Sequence, residues 1–176
     1  LITYGGKPMI TISQCMIVKN EEQNIRRALE WAKDIVCEQI VVDTGSIDDT
    51  IGIAQEMGAK VYRFTWNNDF AAAKNYAIEQ ATGEWIAFLD ADDIWKKTKL
   101  EKELAFLEEK KAAFVFTSYE FGDEQGIGTG KFVHVPEKLS YKQALSRTVI
   151  FTSTTLFDLK KLDKSRLIMP EVPSED

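Results

Sequence analysis

The stretch EWIAFLDADD, residues 84–93, joins an apolar run to three carboxylates at its end. A short apolar run after a glycine, here Gly83, is typical of a strand buried in a sheet. In α/β proteins the carboxyl ends of such strands face the crevice where ligands bind. Carboxylates clustered there repel one another, and a divalent cation carrying a phosphate-bearing ligand relieves that repulsion. The stretch therefore predicts an enzyme site for a nucleotide-linked substrate.

Strand and helix patterns alternate through the first half of the chain. The predicted strands are 10–18, 39–43, 60–64 and 85–89, and the predicted helices between them are 20–33, 46–57 and 69–80. Such alternation is the pattern of right-handed βαβ units, whose strands are parallel. The sequence therefore predicts an α/β fold with a mainly parallel central sheet.

Helix boundaries are predicted from capping residues. The helix 20–33 has one apolar face, formed by Ile25, Ala28, Leu29 and Ala32. Asn20 is its expected N-cap, with Gln23 completing a capping box. Gly58 is expected at the C′ position of the helix 46–57, and Asp69 at the N-cap of the helix 69–80.

The second half has a different pattern. A charged helix is predicted over 98–111, with an inner face of Leu100, Leu104 and Leu107. Strands over 113–121 and 131–135 are predicted to form a hairpin, followed by a helix over 140–146 and a strand over 149–157. The run GIGTGK at 126–131 has no strand-to-helix context, so a hairpin tip is favoured over a phosphate-binding loop.

Bulk properties restrict the class of protein. The 176 residues suit one domain with a substantial core, and the net charge of −6 argues against a nucleic-acid partner. Cys15 and Cys37 lie in apolar segments without CxxC spacing, which predicts two buried thiols in a reduced, cytoplasmic protein. No apolar run approaches the roughly 20 residues that cross a bilayer. One histidine, His134, gives little support to a Ser-His-Asp or multi-histidine zinc site.

Two predicted strands end in carboxylates with candidate binding roles. Asp43 would accept hydrogen bonds from a nucleobase imide or a ribose hydroxyl, and the alternative is an acid that favours the next helix N-terminus. Asp90 and Asp92 suit Mg²⁺, which usually takes one or two carboxylates plus substrate phosphates. The alternative for this stretch is a solvated turn in which Asp92 or Asp93 caps the next helix.

Three further parts of the chain contain candidate residues. Lys74 lies in the second turn of a predicted helix whose N-terminus attracts anions, so it would reach a phosphate or else be an ordinary exposed lysine. Residues 19–21 follow the first strand at the same edge of the crevice. Glu175 and Asp176 end the chain, and a carboxylate placed opposite the metal would serve as a general base. The residues alone favour an acidic terminus for this pair.

Together these residues resemble a family-2 glycosyltransferase with a GT-A type nucleotide-binding domain. The matching segments are CMIVKNEE (15–22), IVVDTGSIDDT (40–50), NDF (68–70), KN (74–75), GEWI (83–86) and LDADD (89–93). They run in the family's order and spacing over residues 10–95, and SED at 174–176 resembles the family's E-D motif. One departure is Ile17-Val18-Lys19, where the family usually has Pro-Thr-Tyr or a similar sequence.

The resemblance implies a GT-A, Rossmann-like three-layer sandwich. It also implies inverting transfer of a sugar, expected to be UDP-linked, to an acceptor hydroxyl in cell-surface or capsular polysaccharide synthesis. Asp176 would be the catalytic base, Glu175 would lie beside the acceptor, and Asp90 and Asp92 would bind Mg²⁺ or Mn²⁺. The residues that the resemblance assigns to the nucleotide-sugar are Val18, Asn20, Glu21, Asp43, Lys74, Asp90, Ala91 and Asp92.

These expectations divide the chain. Residues 1–9 are expected to contain an added leader, Leu1 to Pro8, with Met9 as the native start. Residues 10–95 would form the nucleotide-sugar-binding half, and 96–176 an acceptor-side half that ends early. The expected partners are a nucleoside diphosphate sugar and a saccharide or lipid-linked acceptor, in the cytoplasm, with association with the inner membrane face left open. Two other functions remain open, a non-catalytic nucleotide-sugar-binding domain and a sugar nucleotidyltransferase. A nucleotidyltransferase is expected to have a glycine-rich, basic loop after the first strand, and this sequence has no such loop there.

Overall fold

A computed structural model describes residues 10–123, 125–140, 143 and 150–170. Its helices are α1 (Ile25–Ala32), α2 (Thr50–Glu56), α3 (Phe70–Gln80) and α4 (Lys99–Lys110). Its strands are β1 (Ile12–Val18), β2 (Glu38–Asp43), β3 (Lys60–Arg63), β4 (Trp85–Phe88), β5 (Phe114–Phe116), β6 (Tyr119–Gly122), β7 (Gly128–Val133) and β8 (Thr155–Asp158). Two 3-10 turns, Thr152–Thr154 and Lys164–Arg166, complete the described elements.

Six strands form the central sheet, in the order β3-β2-β1-β4-β8-β5. The first four are parallel to one another, whereas β8 runs antiparallel to both β4 and β5. This arrangement confirms the predicted α/β class and the mainly parallel sheet. Because the four parallel strands point the same way, their carboxyl ends share one edge.

The sheet is covered on both faces, which makes a three-layer sandwich. One apolar cluster packs α1, α2 and α4 against the sheet, with Leu29, Ala54 and Leu104 among its buried members. The other packs α3 against the opposite face through Ala77 and Ile78. All six residues of β2, the three polar and the three apolar, are buried, as expected of a strand in a parallel sheet that is covered on both faces.

The predicted inner faces of α1 and α4 are confirmed, but the predicted start of α1 is wrong. Ile25, Ala28, Leu29 and Ala32 are buried, and so are Leu100, Leu104 and Leu107. Asn20 does not cap α1, which begins at Ile25. Asn20 instead has a left-handed backbone (φ 58°) and its side-chain oxygen accepts from the Ile47 amide. The asparagine is therefore used by a loop contact, and the predicted capping box with Gln23 does not form.

The next two helices differ in how well their ends were predicted. α2 begins at Thr50, four residues after Ser46, because the amide of Ser46 donates to the Asp43 carboxylate. Gly58 adopts φ 83° just after α2, as predicted for a C′ glycine. Asp69 caps α3, accepting from the Ala72 amide at 3.1 Å.

The second half departs most from expectation. The single strand predicted over 113–121 is two strands in different sheets, because β5 joins the central sheet while β6 pairs with β7. The predicted hairpin is thus confirmed for β6 and β7. The strand predicted over 149–157 is a 3-10 turn followed by β8. Most of the helix predicted over 140–146 lies outside the described residues.

The two cysteines have different environments. Cys15 is buried as predicted, and burial, followed by the negative charge of Glu38, raises the pKa of its thiol to about 12. The prediction for Cys37 is wrong, because this thiol is exposed at the start of β2 and donates to the Ile12 carbonyl. Within the described ranges, no helix is long and apolar enough to span a membrane.

Candidate functional site

The carboxyl ends of β1, β2 and β4 bring the predicted acids to one edge of the sheet. Val18, the last residue of β1, pairs with Asp43, the last residue of β2. On the other side of β1, Phe88 of β4 pairs with Cys15, and Asp90 follows two residues later. Asp43 and Asp90 therefore lie on either side of the same strand, β1.

Asp43 is held rigidly at this edge. The residue is only 3% exposed, and its two carboxylate oxygens accept from the amides of Gly45 and Ser46 at 3.1 Å each. Gly45 makes this tight loop with φ 113°, a backbone conformation that favours glycine. The carboxylate is therefore oriented before any ligand binds.

Asp43 also lines a recess at the ends of β2 and β3. The recess has a volume of about 360 Å³ and is lined by Asp43, Thr44, Gly45, Ser46, Ile51, Arg63, Phe64, Thr65 and Trp66. Aromatic walls with a few fixed polar groups are typical of small-molecule sites. The volume lies near the lower end of the range of such sites, roughly 300–1,000 Å³, and suits a ring-sized group.

The residues after β1 connect two loops of the site. Asn20 donates its amide to Ser46 Oγ at 2.9 Å and accepts from the Ile47 amide. The Glu21 amide donates to Thr50 Oγ1 at 2.7 Å. Asn20 and Glu21 thus bind the loop after β1 to the loop after β2, and their predicted contact with a nucleotide-sugar stays a prediction.

Val18 and Ala91 are buried in the scaffold of the site. Val18 is 2% exposed, and its carbonyl accepts from the Thr44 amide at 3.0 Å. Ala91 is 3% exposed and lies between Asp90 and the exposed Asp92. Their assignment to nucleotide-sugar binding likewise stays a prediction.

Asp90 is the half-buried acid of the cluster at the end of β4, where Asp92 and Asp93 are exposed. Burial raises the pKa of its carboxyl; Lys74 opposes the rise, while the neighbouring Asp93 and Asp92 add to it. The Asp90 amide donates to Ser153 Oγ at 3.0 Å. An incompletely compensated carboxylate beside two other acids is suited to a cation.

Lys74 approaches this cluster from α3. Its Nζ donates to Thr152 Oγ1 at 2.7 Å. The charge of Lys74 acts on the Asp90 carboxyl, so the ammonium lies on the acid side of α3. This is the place from which a lysine reaches a phosphate bound near the acids.

The carboxylates suit a divalent cation that is shared with a ligand. Across the part of the chain that the structure describes, no group of three His, Cys, Asp or Glu side chains is close enough to hold an ion without other ligands. Asp90 and Asp92 offer hard oxygen donors, as Mg²⁺ and Mn²⁺ prefer, and these ions often take the rest of their ligands from phosphates and water. The residues present therefore fit a cation that binds together with a diphosphate.

The predicted catalytic base, Asp176, is not among the residues that the structure describes. Glu175 and Asp176 are outside the described residues, and their roles stay predictions.

The structure also adds residues that the sequence reasoning missed, namely Arg63 and Trp66 at the recess, and Trp95, Thr152 and Ser153 around Asp90. The only signal for the last two was a run of Thr and Ser before β8, which is too common to indicate a site.

Solved structures share this architecture. Staphylococcus aureus TarS (residues 1–349) superposes with a TM-score of 0.68 and 21% identity, covering 92% of this chain and 50% of that one. Glucosyl-3-phosphoglycerate synthase of Mycobacterium tuberculosis, solved with Mn²⁺, UDP and glucosyl-3-phosphoglycerate, superposes with a TM-score of 0.54 and 24% identity, covering 61% and 43%. The fold is that of the GT-A glycosyltransferases.

Sequence relatives identify the family. The pattern of the family described as glycosyl transferase family 2 matches residues 13–160. The teichuronic acid biosynthesis glycosyltransferase TuaG of Bacillus subtilis (strain 168) is 39% identical over 140 residues, which cover 77% of this chain and 55% of TuaG. The UDP-Glc:alpha-D-GlcNAc-diphosphoundecaprenol beta-1,3-glucosyltransferase WfgD of Escherichia coli is 32% identical over 177 residues, covering 99% of this chain and 64% of WfgD. The chain belongs to glycosyl transferase family 2.

Proposed function

We propose that this protein is an inverting glycosyltransferase that moves a sugar from a UDP-linked donor to an acceptor hydroxyl in cell-surface polysaccharide synthesis. The observation that carries the proposal is the arrangement around β1. Asp43 and its recess lie on one side of the strand, and Asp90 with Lys74 on the other. A nucleoside diphosphate has its base and its charge at opposite ends, and this arrangement provides for both.

Each end of the donor has a matching set of residues. Asp43 would accept the imide N–H of a uracil whose ring enters the recess between aromatic side chains. Lys74 would bind the diphosphate and stabilise the negative charge that develops on the leaving group. Asp90 and Asp92 would hold Mg²⁺ or Mn²⁺, which supplies further charge neutralisation at the diphosphate when bound.

The proton of the acceptor needs a base on the opposite side of the sugar. In the proposed reaction the acceptor oxygen bonds to the anomeric carbon while the bond from that carbon to the diphosphate oxygen breaks. The hydroxyl proton would pass to the Asp176 carboxylate, and Glu175 is proposed as the residue on the acceptor side. Attack from the face opposite the leaving group inverts the anomeric configuration.

The relatives support the choice of pathway and donor. TuaG is named for teichuronic acid biosynthesis and WfgD for a UDP-glucose donor and a diphosphoundecaprenol-linked acceptor. We infer a saccharide or lipid-linked acceptor of the same kind, met at the cytoplasmic face of a membrane. The chain spans 55% of TuaG and 64% of WfgD, so the acceptor remains part of the proposal.

A ligand panel tests the donor half of the proposal. The melting temperature of the chain is measured with UDP-, GDP-, CDP- and dTDP-sugars, each with and without Mn²⁺, because a ligand that binds the folded state raises it. UDP-glucose with Mn²⁺ should give the largest rise. No rise with any nucleotide sugar would contradict the proposal.

Turnover separates the two other functions. Release of UDP from UDP-glucose above background, with or without added acceptor, is expected of a glycosyltransferase. Binding with no turnover at any metal concentration would favour a non-catalytic binding domain. Formation of a nucleotide-sugar from UTP and a sugar phosphate, with release of pyrophosphate, would favour a nucleotidyltransferase.

A further inference from the structure

The 3-10 turn Thr152–Thr154 makes hydrogen bonds to three separate parts of the site. Ser153, 6% exposed, accepts from the Asp90 amide through its hydroxyl oxygen. The carbonyl of Ser153 accepts from Trp95 Nε1 at 2.8 Å. Thr152 Oγ1 accepts from Lys74 Nζ at 2.7 Å. One short turn from the second half of the chain thus contacts α3, the end of β4 and the segment that follows it.

Ser153 fixes both ends of the acidic segment 90–95. Its hydroxyl binds the backbone of Asp90, and its carbonyl binds the side chain of Trp95, which is 6% exposed and stacks under the Lys99 ammonium at 4.7 Å. A loop with both ends hydrogen-bonded to one buried residue has little freedom to change the position of its carboxylates. Asp92 lies inside this fixed segment.

Thr152 binds Lys74 through a neutral oxygen. Among the described residues, Lys74 forms no salt bridge, and its Nζ donates a hydrogen bond to the Thr152 hydroxyl. A hydroxyl orients an ammonium without neutralising it, so Thr152 itself takes none of the positive charge of Lys74 away from an anionic ligand. A carboxylate at position 152 would orient Lys74 equally well but would cancel its charge.

The turn itself is rigid. The Thr154 amide and hydroxyl both donate to the Phe151 carbonyl, at 2.9 and 2.6 Å. The Thr155 hydroxyl donates to the Thr152 carbonyl at 2.6 Å. Thr155 then enters β8, which pairs with β4, the strand that leads to Asp90. Lys74 and Asp90 are therefore both hydrogen-bonded to the same rigid turn.

We propose that Thr152 and Ser153 are positioning residues that set the distance between Lys74 and the Asp90–Asp92 segment to suit a diphosphate. The inference rests on the proposed function. Neither residue is required to touch the reacting atoms, because each acts through the charged group that it holds. The expected consequence is a loss of binding confined to the diphosphate end of the donor.

Thr152→Val and Thr152→Ser test the lysine contact. Valine keeps the shape of threonine without the hydroxyl, whereas serine keeps the hydroxyl. The affinities of UDP with Mn²⁺ and of uridine are measured by calorimetry and by ligand-detected NMR. T152V should weaken UDP about five- to tenfold with uridine unchanged, and T152S should stay within about twofold of the parent chain. Thr129→Val is the matched control, because Thr129 is an exposed threonine in the β6–β7 hairpin, outside the central sheet. It should change neither affinity.

Ser153→Ala tests the acid segment independently. Removing the hydroxyl leaves the Asp90 amide without its partner and should reduce the gain in UDP affinity that Mn²⁺ provides. UDP binding equal to that of the parent chain in both T152V and S153A would overturn the inference. So would equal proportional losses for UDP and uridine, which indicate a general structural defect. If the parent chain binds no nucleoside diphosphate, the proposed function fails first, and the inference falls with it.

Discussion

The Nζ atom of Lys60 lies 2.6 Å from Oε2 of Glu38, at the edge of the sheet opposite the candidate site. The Glu38 side chain is 5% exposed, whereas that of Lys60 is 52% exposed. The other carboxylate oxygen, Oε1, accepts from the Ser13 hydroxyl and from the amide and hydroxyl of Thr82. The start of β2 is thereby tied to β1, β3 and the loop before β4 through one buried anion.

Glu38 should make the fold sensitive to acid. Burial alone would raise the pKa of this carboxyl from its ordinary 4.5, but the hydrogen bonds from Lys60, Ser13 and Thr82 outweigh burial and lower the pKa to about 2. Because the folded pKa is the lower one, the stabilisation is fully present above pH 4.5 and is lost as the pH falls towards 2.

Glu38→Gln should therefore lower the free energy of unfolding at pH 7 by roughly 2 kcal/mol, the usual cost of losing charged hydrogen bonds. The difference from the parent chain should shrink between pH 4.5 and 2. Urea unfolding over this pH range measures both. Glu56→Gln, which removes an acid whose side chain is 66% exposed and paired with Arg26, is the control and should leave the free energy of unfolding almost unchanged. A pH-independent difference for Glu38→Gln would contradict this account.

Removing one partner of the buried pair Lys99 and Glu103 should lower the free energy of unfolding strongly, whereas replacing both partners with apolar residues should change it little. Their atoms lie 2.8 Å apart on one face of α4, with side chains 11% and 2% exposed. Burial lowers the pKa of Lys99 and raises that of Glu103 to about 7, and in each case the partner opposes the shift. For Glu103 the raised pKa means that stability falls as the pH rises from 4.5 to about 7.

Lys99→Met leaves the Glu103 carboxyl buried without its partner and should destabilise the fold by about 3–5 kcal/mol. The double variant Lys99→Met/Glu103→Leu should lie within about 1 kcal/mol of the parent chain, because apolar residues of similar size often replace buried pairs without loss. Urea unfolding between pH 5 and 8 should also show the single variant losing stability most steeply. Lys33→Met, in an exposed pair with Glu30, is the control. Equal costs for the single and double variants would refute this explanation.

Substitution by alanine should have opposite effects on stability at Gly83 and at Gly52. A Cβ at Gly83 would lie 2.8 Å from the Ser13 amide nitrogen and 3.0 Å from the Thr11 carbonyl oxygen. Because backbone of β1 has no room to move, Gly83→Ala should cost about 1–3 kcal/mol. In Gly52→Ala the Cβ meets only the flexible Asp49 side chain, and helix propensity should make the variant neutral or stabilise it by up to about 1 kcal/mol. Thermal unfolding of both variants decides whether close strand contact, rather than the loss of glycine as such, sets the cost.

Asp43 and Asp92 should affect different ends of a nucleotide. Asp43→Asn should weaken uridine and UDP by a similar factor, about tenfold or more, because an amide cannot replace the doubly accepting carboxylate. Asp92→Asn should abolish the Mn²⁺-dependent part of UDP binding and leave uridine unaffected. Asp163→Asn, at an exposed turn, is the control. UDP affinity with Mn²⁺ that is unchanged in Asp92→Asn would remove this residue from the metal site.

The accuracy of the sequence-based predictions follows how local the interactions are. Asp69 capping α3 and Gly58 ending α2 depend on neighbours within one turn of helix, and both predictions were correct. Asn20 has the same capping chemistry as Asp69, yet its side chain binds Ile47, 27 residues away. A pattern of residues along the chain cannot choose between a local partner and a distant one of equal chemistry.

The sequence by itself determined the layers of this protein and which strand ends carry acids. Apolar runs and helical faces are set by the period of each element, and the carboxylates follow directly in the chain, so Asp43 and Asp90 were predictable. Only the tertiary structure decided that 113–121 divides between two sheets and that Thr152 and Ser153 meet Lys74 and Asp90. Those contacts join residues 63 and 78 positions apart, and a neutral hydroxyl carries no periodic or charge signal until the packing of β8 against β4 brings it to the site.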